Sequence, residues 1–186
     1  DAEDEGYYVI TEATALNDFE EFELSGFPSD GWYVINPDNS RSWNAYNGII
    51  GRNGAPSRVG FMNNFIYTPG EVDTFVTEVY DLSGTDAPGL TFDLPKAQRA
   101  GGTGDALQVD ISIDCGATWI NLYDKNGFDL ATVPGAVTSF WTPDTGSDWR
   151  LEQLDLAAYI GEEVQFRFVN VSNGGNGTFI DNVYVL

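Results

Sequence analysis

"VQFRFVNVSNGGNGTFIDNVYVL" (164–186) decides how this chain folds. At its start Val164, Phe166 and Phe168 alternate with Gln165 and Arg167, before Val169 and Val171 blur the pattern. That period of two places apolar side chains on one face of a half-buried strand. The glycine-rich "SNGGNGT" (172–178) then reads as a loop where the backbone bends freely or approaches a neighbour closely. Strand-forming residues resume in "FIDNVYVL" (179–186), yet Asp181 stands among them. An ionised carboxylate in an apolar interior needs a cation, a cage of hydrogen bonds, or water. Asp181 shares strand parity with Val183 and Val185, so it points inward if those two face a core.

Further strands lie upstream. In "LQVDISI" (107–113) Leu107, Val109, Ile111 and Ile113 share one face and Gln108, Asp110 and Ser112 the other. "GLTFDL", "TWINLYD" and "WRLEQLDL" add more, and "YDKNG" carries an Asn-Gly pair suited to a tight hairpin turn. Only "LDLAAYIGEE" has room for a helical turn. There is no sustained 3.6-residue periodicity and no internal repeat. The glycine loops "RAGGTGD" and "SNGGNGT" lack the lysine of a phosphate-binding loop. These features predict an all-β fold, a two-sheet antiparallel jelly-roll β-sandwich. Residues 1–16 are expected to form an acidic tail or arm, with an edge strand over Tyr7–Thr11, and residues 17–186 a single domain.

Composition narrows function. The 186 residues carry 29 acidic and 8 basic side chains, a net charge of -21, with no Lys or Arg before Arg41. Such a field repels nucleic acid and anionic membranes and favours divalent cations, cationic partners or solubility in saline surroundings. The absence of histidine removes Ser-His-Asp and Cys-His catalysis and histidine zinc sites. Cys115 is the one cysteine, so no internal disulfide forms. No apolar run approaches the roughly 20 residues that span a bilayer. The opening "DAEDEGYYVI" lacks a methionine, which points to processing or an excised segment. Close acidic pairs such as Glu20-Glu21 and Glu162-Glu163 are expected by chance at this acidity, so the chain is not expected to be an enzyme.

The order of motifs resembles a family. "FELSGFPSDGWYVINPDNSRSW" (22–43) is similar to the opening of MAM-like jelly-roll domains, the cleaved-adhesin and "choice-of-anchor J" groups of secreted bacterial surface proteins. The matches are Phe22, Glu23, Pro28, Gly31, Trp32, the loop 36–40 and Trp43. "YDLSGTDAPGLTFDLPKA", "GDALQVDISIDCGATWINLYDKNG" and the segment from Trp149 onward continue the likeness over about residues 19–186. The resemblance implies a secreted or cell-surface, non-catalytic adhesion module, with a MAM-like or galactose-binding-like sandwich. It also implies a structural calcium ion where the first strand, the acidic loop and the last strand converge. Carried over by position, the ligands are Glu23, Asn36, Asp38 and Asp181, with Glu21 an alternative to Glu23 and Asp105 a further one. Calcium suits them, because it takes six to eight oxygen ligands and needs neither His nor Cys. The alternative is that Asp181 accepts backbone N–H bonds and Glu23 is solvated. This acidic loop, "NPDNS", supplies one carboxylate where the family often has alternating aspartates.

Two other functions stay open. Trp43, Tyr46, Tyr123, Phe140, Trp141 and Trp149 lie near loops and suggest a carbohydrate-binding module of an exported enzyme, their rings stacking on sugars. Trp32 and Trp119 are expected in the core. A third reading is a filament subunit whose N-terminal strand completes a neighbour's sheet, which would make the chain a homo-oligomer. Expected partners are therefore protein or polysaccharide at a cell surface, without nucleic acid and without membrane insertion.

Overall fold

Alternating side chains are sorted onto two facing sheets. The computed structural model describes residues 13, 19–23, 26–66, 69–102 and 104–186. In chain order the elements are β1 (Phe19–Glu20), β2 (Tyr33–Ile35), β3 (Asn44–Ile50), β4 (Pro56–Asn63), β5 (Val72–Asp81), β6 (Gly89–Pro95), β7 (Gln98–Arg99), β8 (Ala106–Ser112), β9 (Ile120–Asn126), α1 (Gly127–Leu130), β10 (Ala136–Val137), β11 (Trp149–Asp155), β12 (Glu163–Val171) and β13 (Gly177–Val185). One sheet runs β11-β6-β13-β4-β3, with β1 paired to the end of β13. The other runs β2-β5-β12-β8-β9. Pairing within both sheets is antiparallel, and only the short β10–β7 pair is parallel. The two-sheet jelly-roll sandwich read from the sequence is the fold observed.

The core follows from the alternation. Leu107, Val109 and Ile111 of β8 and Val164, Phe166 and Phe168 of β12 face Leu90, Phe92 and Leu94 of β6 and Val183 and Val185 of β13. Each such side chain contributes about 1.5–3 kcal/mol by leaving water. A second cluster lies on the other face of the β13-β4-β3 sheet. There Phe61 and Phe179 stack at 4.8 Å between ring centroids, with Ile49, Val59 and Trp149 buried beside them and Tyr46 and Phe140 packed against them.

Several local expectations need correction. Asn126 and Gly127 do not close a hairpin. β9 ends at Asn126, Gly127 takes φ of +51°, and α1 begins, held by the bond from Gly127 N to Asp105 O. Ile113 falls beyond β8 and is exposed. The helical turn in "LDLAAYIGEE" is present as a single 3-10 turn, Ala157–Tyr159. The arm expected at Tyr7–Thr11 lies outside the described residues. No described helix is long and apolar enough to cross a membrane.

Candidate metal centre and surface groove

Asp181 does not share the face of Val183 and Val185. Asn182 adopts φ of +50°, and the pairing of β13 with β6 shifts register between Asp181 and Tyr184. This bulge inserts one residue, so Ile180, Val183 and Val185 enter the core while Asp181 turns to the opposite side. It is still only 2% exposed. Its neighbours explain why. Ser57 Oγ lies 2.8 Å from Asp181 Oδ2 and 3.0 Å from Glu23 Oε1, so one hydroxyl bridges the two carboxylates. Arg58 N also donates to Glu23 Oε1 at 2.9 Å, and Asn182 N to Asp181 Oδ1 at 2.9 Å. Residues at opposite ends of the chain therefore meet.

Local backbone shape sets this meeting. After β1, Phe22 takes φ of +57° and buries its ring in the core, sending Glu23 back toward β4. The Arg58 guanidinium fixes the bend by donating to the carbonyls of Phe22 and Gly26. A tight turn at 51–55, with Gly51 N bonded to Ala55 O and Asn53 Oδ1 accepting from Ala55 N, forms the opposite wall. Together Glu21, Glu23, Gly51, Asn53, Ser57 and Asp181 border a polar pocket of about 60 Å³. That space suits one ion or a pair of waters and is too small for a sugar ring. Burial pushes the Asp181 carboxyl up to about 7, with the Asp93 and Glu23 charges adding to it against the Ser57 and Asn182 hydrogen bonds.

Hard oxygen donors and a buried carboxylate fit calcium. Among the described residues, however, no group of three or more Asp, Glu, His or Cys side chains closes tightly enough to hold a metal by itself. An ion here would need backbone carbonyls or water as well as Glu23 and Asp181.

The remaining predicted ligands lie elsewhere. Asn36 and Asp38 do not border this pocket; their loop sits near the start of β5, where Asp38 lies beside the Glu71 side chain. Asp105 is the counterion of Lys96, whose Nζ is 2.5 Å from Asp105 Oδ2, both side chains being at most 1% exposed. Asn173 N and Gly175 N bond its Oδ1, and Asn176 N its Oδ2, so Asp105 has no oxygen to offer a metal. The glycine-rich loop therefore cradles an anion belonging to the chain itself. A Cβ on Gly175 would stand 2.1 Å from Asp105 Oδ2. Lys96 was not singled out from the sequence; its place in "LPKAQ", directly after an apolar strand, was the one signal available.

The aromatic candidates do not form a platform. Trp43, Tyr123 and Trp149 are buried: Trp43 stacks on Phe75, Tyr123 hydrogen-bonds Glu152, and Trp149 Nε1 donates to Ile50 O at 2.8 Å. Tyr46 and Phe140 pack against the second cluster, and half-buried Trp141 is tied by its backbone N–H to Asn176. Trp32 is buried as expected, whereas Trp119 is half-buried and carries the Arg167 guanidinium 4.6 Å from its ring centre. A wide open groove lies instead on the outer face of β6, β11 and β13, about 850 Å³ bordered by Arg52, Thr91, Asp93, Leu151, Asn182 and Tyr184. Arg52 Nη1 is 3.4 Å from Asp93 Oδ1, and Asn182 Nδ2 donates to Asp93 Oδ2 at 2.9 Å.

No protein-family model and no curated protein sequence matches the chain. Solved structures do. The K1 cleaved adhesin domain of Lys-gingipain from Porphyromonas gingivalis W83 superimposes with a TM-score of 0.64 at 21% identity, over 91% of this chain and 97% of that domain. TmCBM61, solved in complex with β-1,4-galactotriose, gives 0.56 at 12% identity over 90% and 94% of the two chains. A carbohydrate-binding module specific for non-crystalline cellulose, CBM28, gives 0.53 at 13% identity over 89% and 92%. With TM-scores above 0.5 and nearly complete coverage of both chains, the chain has the jelly-roll β-sandwich fold of the cleaved adhesin domains.

Proposed function

We propose that this chain is a secreted or cell-surface, non-catalytic binding module stabilised by a structural calcium ion between Glu23 and Asp181. The observation that carries the reading is the burial of Asp181 beside Glu23, bridged by Ser57. Two carboxylates held this close, with no lysine or arginine paired to either among the described ion pairs, gain most from a hard cation. The pocket volume argues against hydrolysis at the same pair, since no sugar ring enters about 60 Å³. The ion would tie β1, the 51–55 turn and β13 together and stabilise the native state alone.

Chelation with EDTA at constant ionic strength is expected to lower Tm by about 5–10 °C from its value at a calcium concentration some hundredfold above Kd. Asp181→Asn should remove most of that response. An unchanged Tm on chelation, or a full response in the variant, would reject the reading.

A second reading rests on the groove over β6, β11 and β13. Its mixture of an aromatic ring, an aliphatic side chain, an amide and the Arg52–Asp93 pair is the kind of surface that orients a saccharide. Two structures of the same fold are carbohydrate-binding modules, one solved holding a galactotriose. In this reading the partner is a polysaccharide and the site is the sheet face, not the buried tryptophans.

A further inference from the structure

A groove of about 530 Å³ runs beside β3 and is lined by every residue from 40 to 46 in turn. Successive residues of an extended chain point to opposite faces, so a groove lying on one face meets only alternate ones. One that meets them all follows the backbone itself, along the edge of the strand. β3 ends its sheet and, among the described residues, pairs only with β4.

The strands that end the two sheets are β11, β3, β2 and β9, and all but β3 are guarded. β11 carries Arg150, Glu152 and Asp155, β9 carries Asp124 and Lys125, and β2 has only three residues. Charge and shortness are the means by which a strand edge is kept from pairing with another chain. β3, "NAYNGII" (44–50), has seven residues and no charge. Its bulge, with Gly48 at φ of +79° and a register shift between Asn47 and Ile49, twists the far half away and leaves 44–47 as the open stretch.

Polar groups along this stretch lack a lasting partner. Ala45 N donates to Asn44 Oδ1 at 2.8 Å, a bond to the neighbouring side chain that an incoming carbonyl can replace. Asn63 Oδ1, also in the lining, is shielded from water and has no donor. Arg41 is exposed, and among the described residues it is the one basic side chain in neither an ion pair nor a hydrogen bond. Beside it Tyr46, Phe61 and Ile66, the last 52% exposed, make the groove apolar.

We infer that the free edge of β3 receives an extended peptide segment of another protein, added as a further strand of the sheet. Backbone hydrogen bonds to 44–47 hold the segment, an Asp or Glu side chain on it pairs with Arg41, and an apolar or aromatic one enters the hollow at Tyr46, Phe61 and Ile66. Charge selects this occupant. A second copy brings a net charge of -21 to an edge with one available cation, whereas a foreign segment needs only a single carboxylate. A saccharide has no alternating N–H and C=O groups to match a strand edge. The surface shares no residue with the Glu23–Asp181 pocket or the groove over β6, β11 and β13, and it depends on neither reading.

Random peptides displayed on phage, selected on the immobilised full chain and then resynthesised, test this by fluorescence polarisation. Enriched sequences are expected to be rich in strand-forming residues and to carry an Asp or Glu. Methylating the peptide's backbone nitrogens one at a time should abolish binding at every second position and spare those between, because a strand turns alternate N–H groups toward its neighbour. Arg41→Glu should weaken binding about fivefold or more. Ile66→Asp, which places a charge in the hollow from outside the strands, should weaken it as well. Both positions are exposed, so neither change disturbs the core. Failure of any peptide to enrich, equal binding by both variants, or methylation losses without the alternation would overturn the inference. So would a concentration-dependent dimer that Ile66→Asp dissociates, which would give the edge to a second copy, or glycan binding that both variants remove.

Discussion

Asp181 shows how much one residue can reveal and where such reading stops. Its oddity among strand formers was legible, and so was its meeting with Glu23. Its facing was not, because the reversal depends on the left-handed backbone of Asn182, and a period of two carries no mark of an inserted residue. The site also has a pH signature. Burial first, then the neighbouring Asp93 and Glu23 charges, raises its carboxyl to about 7 from an ordinary value of 3.8. Between those values the native state holds a proton that the unfolded chain has released, so stability falls as pH rises from about 4 to 7 and levels off above. Urea midpoints of calcium-free protein across that range should slope downward in wild type and less steeply in Asp181→Asn. Parallel profiles would show that Asp181 titrates normally. Saturating calcium should flatten the wild-type curve, since the ion replaces the proton.

At the scale of elements, the loop "SNGGNGT" and the strand end at Lys96 are one device. Close backbone approach was readable in the glycines, but not what is approached: the Asp105 carboxylate, gripped by three backbone N–H groups and by Lys96. Lys96 Nζ also donates to Asn176 O at 2.7 Å and Thr178 Oγ1 at 2.9 Å, so the pair locks β6, the start of β8 and β13 together. Burial pulls the Lys96 amine below its ordinary range, against the pull of Asp105. Lys96→Met should cost about 3–5 kcal/mol by urea denaturation, because it strands a buried anion, and adding Asp105→Leu should recover much of that loss. A Lys96→Met cost under about 1 kcal/mol would mean the pair is already solvated. The misread Asn126-Gly127 belongs at this scale too. Its dipeptide suits a hairpin, yet Gly127 is held by Asp105 O, a contact from 22 positions away that no local rule contains.

For the whole molecule, fold class and motif order were legible because each strand announces itself locally. Sheet membership was not: β5 and β6 are joined by the short connection 82–88, which opens with the turn Leu82–Gly84, yet they lie in opposite layers. The tryptophans failed as ligand markers for a related reason. Proximity to loops does not separate a ring exposed on a rim from one packed into a buried cluster, as Trp43 and Trp149 are. The groove over β6, β11 and β13 could be found only once strands distant in sequence were side by side. If it takes polysaccharide, a glycan array should show binding that Arg52→Ala reduces about tenfold or more, a loss of at least about 1.4 kcal/mol, without changing Tm. Equal binding by that variant, or none by wild type, would leave the face without this role.

One feature of the basic side chains reaches past the fold. Seven of the eight are committed to the chain's own carbonyls or carboxylates: Arg52, Arg58, Lys96, Arg99, Lys125, Arg150 and Arg167. The cations thus rivet the chain's own groups together, and the net charge of -21 leaves the exterior predominantly anionic. Two copies, or this chain and another acidic surface, can draw near only when mobile ions crowd the gap, which at physiological salt shrinks the repulsive halo to about 8 Å. In fresh water the same molecule would be electrostatically solitary; in brine it becomes approachable.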